Sequence, residues 1–144
     1  MSRMQYGIFA FGFTLASLAV LTSCGHEQVL VGINIQPNQE TFGATNIPLS
    51  EDAGLNVQLR AMGSYEHPPV IKDITDKVTW TSNTPDMVAV DPNTPGLIAP
   101  TGNACGDTLI SATIVTNKSS GGVSSSGAQI SGTMTATVVC PSGT

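Results

Sequence analysis

The sequence predicts an all-β fold in which two antiparallel sheets pack face to face. Apolar and polar residues alternate at a period of two in one segment after another, which sets one side of each segment on a core and the other in water. Turn formers are frequent, with 15 Gly and 9 Pro among 144 residues, and they fall between those segments. No stretch of the chain beyond its amino-terminal segment sustains helical periodicity.

The elements follow in order. Residues 29–37, VLVGINIQP, place Val29, Val31, Ile33 and Ile35 on one face and Leu30, Gly32 and Asn34 on the other, and Pro37 ends the strand. Residues 38–54 read as a loop punctuated by Gly, Pro and Asn. In 55–63, LNVQLRAMG, Leu55, Val57, Leu59 and Ala61 point inward while Asn56, Gln58 and Arg60 point outward, a spacing no helix produces. Residues 64–76 read as a polar loop around Pro68 and Pro69. The strand 77–82, KVTWTS, sets Val78 and Trp80 on one face, and the inward alternation makes Trp80 a core residue. After a turn, 87–91 carries Val88 and Val90 inward. A second turn uses Gly96, which is free to take positive φ, and 97–100 carries Ile98. Residues 107–116 align Ile110, Ala112 and Ile114. Residues 117–127 form a Gly/Ser-rich tip, and 128–140 align Met134, Ala136 and Val138 with Thr135 and Thr137 outside. That makes about seven strands, enough for a sandwich with one core.

The amino terminus reads as an address. Arg3 lies in a short positive region, followed by the apolar run of residues 6–21, which is short for a membrane span and suits the core of a cleaved secretory signal helix. Leu21-Thr22-Ser23-Cys24 then resembles the lipobox of bacterial lipoproteins. The resemblance implies that residues 1–23 are removed and that Cys24 carries a diacylglycerol on its sulfur, with its amine open to acylation. Gly25 rather than Asp after the cysteine favours the outer membrane in a diderm cell. Each buried methylene contributes about 0.8 kcal/mol, so two or three acyl chains would anchor the protein durably. Residues 24–28 are then the lipidated cysteine and a short tether, reaching at most ~18 Å to Val29.

Export also frames the other two cysteines. Cys105 opens one strand and Cys140 closes another, so antiparallel neighbours would bring them together at one end, in a compartment where disulfides persist. Two free thiols for metal or redox work are the alternative, and neither a CxxC spacing nor a nearby histidine supports it.

From Asp73 to Ala112 the chain resembles the bacterial Ig-like domain, group 2. The matching pieces are Asp73-Ile74-Thr75, Val78-Thr79-Trp80-Thr81-Ser82, Asp86-Met87-Val88-Ala89-Val90, Gly96-Leu97-Ile98-Ala99 and Gly106 through Ile110 to Ala112, after a first strand ending at Pro37. The resemblance implies one Ig-like β-sandwich over 29–144. The cysteine pair and the long Gly/Ser tip depart from the family pattern.

Function classes narrow by elimination. Five Lys and Arg against ten Asp and Glu give a net charge of −5, and the few cations are scattered, so nucleic acid is not an expected partner. No nucleophile–base, zinc or phosphate-loop motif occurs, and His26 and His67 stand apart from one another, so neither catalysis nor a cofactor is expected. Asp73, Asp76, Asp86 and Asp91 are near turns but lack a calcium-loop spacing, and Asx-turn duty accounts for them. Carbohydrate platforms use exposed aromatics, and beyond the leader only Phe42, Tyr65 and Trp80 remain, which makes Tyr65, Glu66 and His67 the candidate ligand contacts. The expectation is a non-catalytic envelope lipoprotein held by Cys24 to the membrane. Its role is as an interaction, adhesion or structural module for another envelope protein. The alternative is a polysaccharide-binding lipoprotein that uses the Tyr65–His67 loop.

Overall fold

A computed structural model of the chain describes residues 28–116, 119–120, 123–124 and 127–142. Their elements are β1 (Val29–Gln36), β2 (Gln39–Phe42), α1 (Leu49–Asp52), β3 (Val57–Gln58), β4 (Arg60–Glu66), β5 (Val70–Asp73), β6 (Thr79–Ser82), β7 (Val88–Val90), β8 (Leu97–Pro100), β9 (Gly106–Thr116), β10 (Ser119–Ser120), β11 (Val123–Ser124) and β12 (Ala128–Val138). The described residues are almost entirely β and sandwich-like, as their alternation predicts, with α1 the one short helix among them.

The longest ladder joins β9 to β12, antiparallel and in unbroken register from Gly106 opposite Val138 to Thr116 opposite Ala128. Alternation maintains it: Thr108, Ile110 and Ala112 on β9 and Met134, Ala136 and Val138 on β12 are buried, and the outer positions are mostly hydroxyl residues, with Leu109 and Val115 exposed among them. β6 extends this sheet on one side, with Trp80 opposite Ala112. β2 extends it on the other, running parallel to β12 with Phe42 opposite Val138. Trp80 is half-buried against the core, and its indole Nε1 donates to the Thr75 carbonyl at 2.9 Å.

β10 and β11 form a two-stranded sheet of their own, and six more strands form two three-stranded sheets, β1-β4-β5 and β3-β8-β7. Leu30, Ile35, Leu59, Ala61, Val88 and Ile98 from these sheets share one core with the buried residues of β9 and β12. Residues 55–63 are therefore not one strand. The chain passes from one sheet to the other at Leu59, which is fully buried and donates its amide to Gly96 O at 2.8 Å. Gly96 has φ +80°, and a Cβ there would lie 2.5 Å from Leu59 O, so only glycine fits this crossing. Leu55, expected inside, lies before the crossing and is 49% exposed.

β1 also departs from simple alternation. Leu30 pairs with Tyr65 and Gly32 with Ser64, so Val31 is an extra residue in a bulge. The bulge reverses the phase: Leu30 is buried before it and Ile35 after it, while Val31 is left exposed. Two segments read as loops contain edge strands. β2 buries only Phe42, and β5 buries no residue fully, so neither shows an apolar period. The 117–127 tip contains β10 paired with β11.

The sandwich has two distinct poles. A Cβ on Gly132 would lie 2.5 Å from Ile33 O, Thr135 N donates to Asn38 O at 3.2 Å, and Phe42 pairs with Val138. β1 and β2 thus ascend in step with β12. The start of β1, the β4–β5 turn (Glu66 opposite Val29) and the Thr116–Ala128 pair lie at one pole, here called the tether pole. At the other, Cys105 and Cys140 form a disulfide with Cα atoms 5.1 Å apart. The ends of the long ladder bring them together, as the strand arrangement predicts.

Candidate functional site

The Tyr65–His67 segment ends β4 and opens the turn into β5 at the tether pole. Strand alternation separates its members. Tyr65 is half-buried and packs against the core, whereas Glu66 and His67 are exposed. Lys72 from β5 sits 5.1 Å from the Tyr65 ring centroid and also donates to the Gln28 side chain, which ties the base of the amino-terminal segment to the β5 edge. One face of Tyr65 is thus on the core and its ring carries a lysine, so the exposed aromatic surface is small. Cys24 and His26 lie outside the described residues.

The four turn aspartates remain separate. Asp73 Oδ1 accepts from the Thr75 amide at 3.0 Å and the Thr75 hydroxyl at 2.5 Å, and its Oδ2 accepts from Arg60 Nη2 at 2.7 Å. The Thr75 hydroxyl, then the Thr75 amide, then the Arg60 guanidinium hold the Asp73 carboxyl down to about 2. The same Thr75 hydroxyl accepts the Ala61 amide at 2.9 Å, so the cluster locks the end of β5 onto β4. Asp91 Oδ1 accepts the amides of Asn93 and Thr94 at 2.7 and 2.9 Å, an Asx turn that shapes the hairpin between β7 and β8. Among the described residues no group of three or more His, Cys, Asp or Glu is placed to hold a metal ion.

The disulfide pole holds what the sequence reading missed. Residues 45–49 and 141–142 line a wide, open hollow of about 630 Å³. Ser142 fixes its rim by donating its amide and hydroxyl to Thr45 O at 2.9 and 3.0 Å. Behind it, Asp52 on α1 is 1% exposed, and its Oδ2 has no hydrogen-bond partner. A Cβ on Gly43 would lie 2.3 Å from that oxygen, and Gly43 has φ +80°, so glycine is needed there for both space and backbone. A buried carboxyl oxygen without a partner costs stability, and among the described residues Thr108 Oγ1 is the other buried side-chain oxygen in that condition. The sequence setting of Asp52, Leu-Ser-Glu-Asp after Pro48, has no period that would reveal burial.

Comparison with known proteins adds no assignment: the chain matches no family model and no curated protein.

Proposed function

We propose that the chain is a cell-envelope lipoprotein with a single Ig-like sandwich, held to the membrane by acyl chains on Cys24 and acting through contact with another envelope protein rather than through catalysis. The observation that carries the reading is Leu21-Thr22-Ser23-Cys24 directly after an apolar leader and only a few residues before the first strand. The Ig-like part is supported by a four-stranded and two three-stranded sheets around one core, a Trp on the strand beside β9, and a first segment that pairs in one sheet as β1 and in another as β2.

With a lipid on Cys24, the tether pole faces the membrane and the disulfide pole faces away from it. Eleven residues of β12 separate the two, about 35 Å at ~3.3 Å per residue. The hollow at residues 45–49 and 141–142, with its disulfide-stapled rim, is then the surface best placed to meet a partner.

Growth of the producing cell with an alkyne-bearing fatty acid tests the anchor. Label is expected on the wild-type protein and none on Cys24→Ser, while equal label on both would defeat the reading. A glycan array tests the docking role: silence on every glycan is expected, and binding that vanishes in Tyr65→Ala would replace it with polysaccharide recognition.

A further inference from the structure

We propose that the tether pole itself rests in the headgroup region of the bilayer, with Val29, Val31, Ile71 and Val115 as its contact residues. The proposal depends on the lipid-anchor reading and adds an orientation to it.

Among the described residues, six large apolar side chains are exposed: Val29 at 37%, Val31 at 50%, Leu55 at 49%, Ile71 at 67%, Leu109 at 45% and Val115 at 57%. Register locates them along the sandwich. Val29 is opposite Glu66, Ile71 is opposite Ser64, and Val115 is opposite Gln129, one pair from the end of the long ladder. These residues and Val31 therefore gather at the tether pole, whereas Leu109 pairs with Thr135 farther along the sandwich and Leu55 lies just before β3.

Their faces decide what covers them. Val29, Val31 and Ile71 lie on the outer face of the β1-β4-β5 sheet, while Val115 lies on the outer face of the opposite sheet, in alternation with buried Ala112 and Ile110. A protein groove would cover one face. A soft planar surface met end-on touches both. Cys24 is only four residues ahead of Gln28, a reach of at most ~14 Å, so acyl chains there hold this pole at the lipid surface.

The polar groups at this end suit the same neighbour. Lys72 lies over Tyr65, an amphipathic pair of the kind favoured at membrane interfaces. Glu66 is at the tether pole and Glu27 precedes Gln28 in the tether, but Glu40 and Asp107 lie toward the disulfide pole, away from anionic headgroups.

The test uses protein purified from membranes and reconstituted into vesicles of phosphatidylethanolamine and phosphatidylglycerol. Ile71→Cys, Val115→Cys and Leu109→Cys each carry an environment-sensitive NBD label. The probes at 71 and 115 are expected to shift to the blue and to be quenched by headgroup nitroxides, while the probe at 109 stays open to aqueous iodide. Iodide quenching of all three alike overturns the proposal. So does a shift at 71 alone, which reports a protein docked on one face. A shift that follows protein density instead of lipid nitroxide reports a second copy and also overturns it. The intact mass of the same preparation separates the two readings. Missing acyl chains remove the anchor and this inference together, whereas acylated protein with iodide-exposed probes removes only the inference.

Discussion

The β9–β12 ladder and the β1-β4-β5 sheet contribute to one core by different means. The first has eleven residues on each strand, one register, and a disulfide at its end. The second has a bulge at Val31, a strand that leaves for another sheet at Leu59, and an edge strand of four residues. The regular ladder exposes Leu109 and Val115 and buries or half-buries its other large apolar groups. The irregular sheet exposes Val29, Val31 and Ile71. The bulge at Val31 changes the strand phase and leaves apolar residues on the outer face, and it does so at the end nearest the proposed anchor.

Gly132 lets β12 lie close against the backbone of β1, and substituting it should have the largest effect. Its Cβ would meet Ile33 O at 2.5 Å and Ile33 C at 3.0 Å. Gly132→Val should therefore cost about 3 kcal/mol or more, because the contact is backbone that has no rotamer to yield. Urea unfolding measures this, and an unchanged midpoint would mean that the layers are farther apart than described.

The regular ladder is next. Replacing both Cys105 and Cys140 with Ser opens a cross-link spanning 35 residues and should lower stability by about 3 kcal/mol, chiefly by freeing the unfolded chain. The ladder should survive, because its register is fixed by alternation along the whole length. Hydrogen exchange that stays slow in the middle of β9 and β12 and quickens near Gly106 and Val138 would show this.

Asp52 should act in the opposite direction. Asp52→Asn exchanges a buried carboxyl, whose Oδ2 has no hydrogen-bond partner, for an amide of the same shape and should raise stability by about 1 kcal/mol in the same urea assay. A loss instead would mean that the carboxylate has a partner in solution.

The smallest effect concerns the irregular sheet. Asp73 has a folded value of about 2 against an ordinary 3.8. The depressed value stabilises the fold above about pH 4, and that contribution is lost as pH falls through about 2. Asp73→Asn should flatten this part of the pH–stability curve. An identical curve in both proteins would remove the Thr75–Arg60 cluster as its source.

The same contrast explains how much the sequence disclosed. β9 and β12 were legible because Ile110, Ala112, Ile114, Met134 and Ala136 recur at every second position, mostly between hydroxyl residues, and β6 and β8 because turn formers bracket Trp80 and Ile98. The disulfide followed from those strands. β2 and β5 were hidden because edge strands need few inward residues: Phe42 alone is buried on β2. The phase change at Val31 and the crossing at Leu59 depend on partners far away in sequence, which local alternation does not encode. Asp52 was invisible for a related reason, since its burial comes from Gly43 and the surrounding loops. Tyr65 was singled out by type, but its half-burial comes from strand phase and its lysine from the neighbouring β5.

The central claim is that acyl chains on Cys24 hold this sandwich to a membrane. The intact mass of the mature protein extracted from membranes tests it most directly. The account predicts a chain beginning at Cys24, heavier by two or three acyl chains with glycerol, and two hydrogens lighter for the Cys105–Cys140 bond. A mass matching an unmodified polypeptide, cut elsewhere or still bearing its leader, would contradict it.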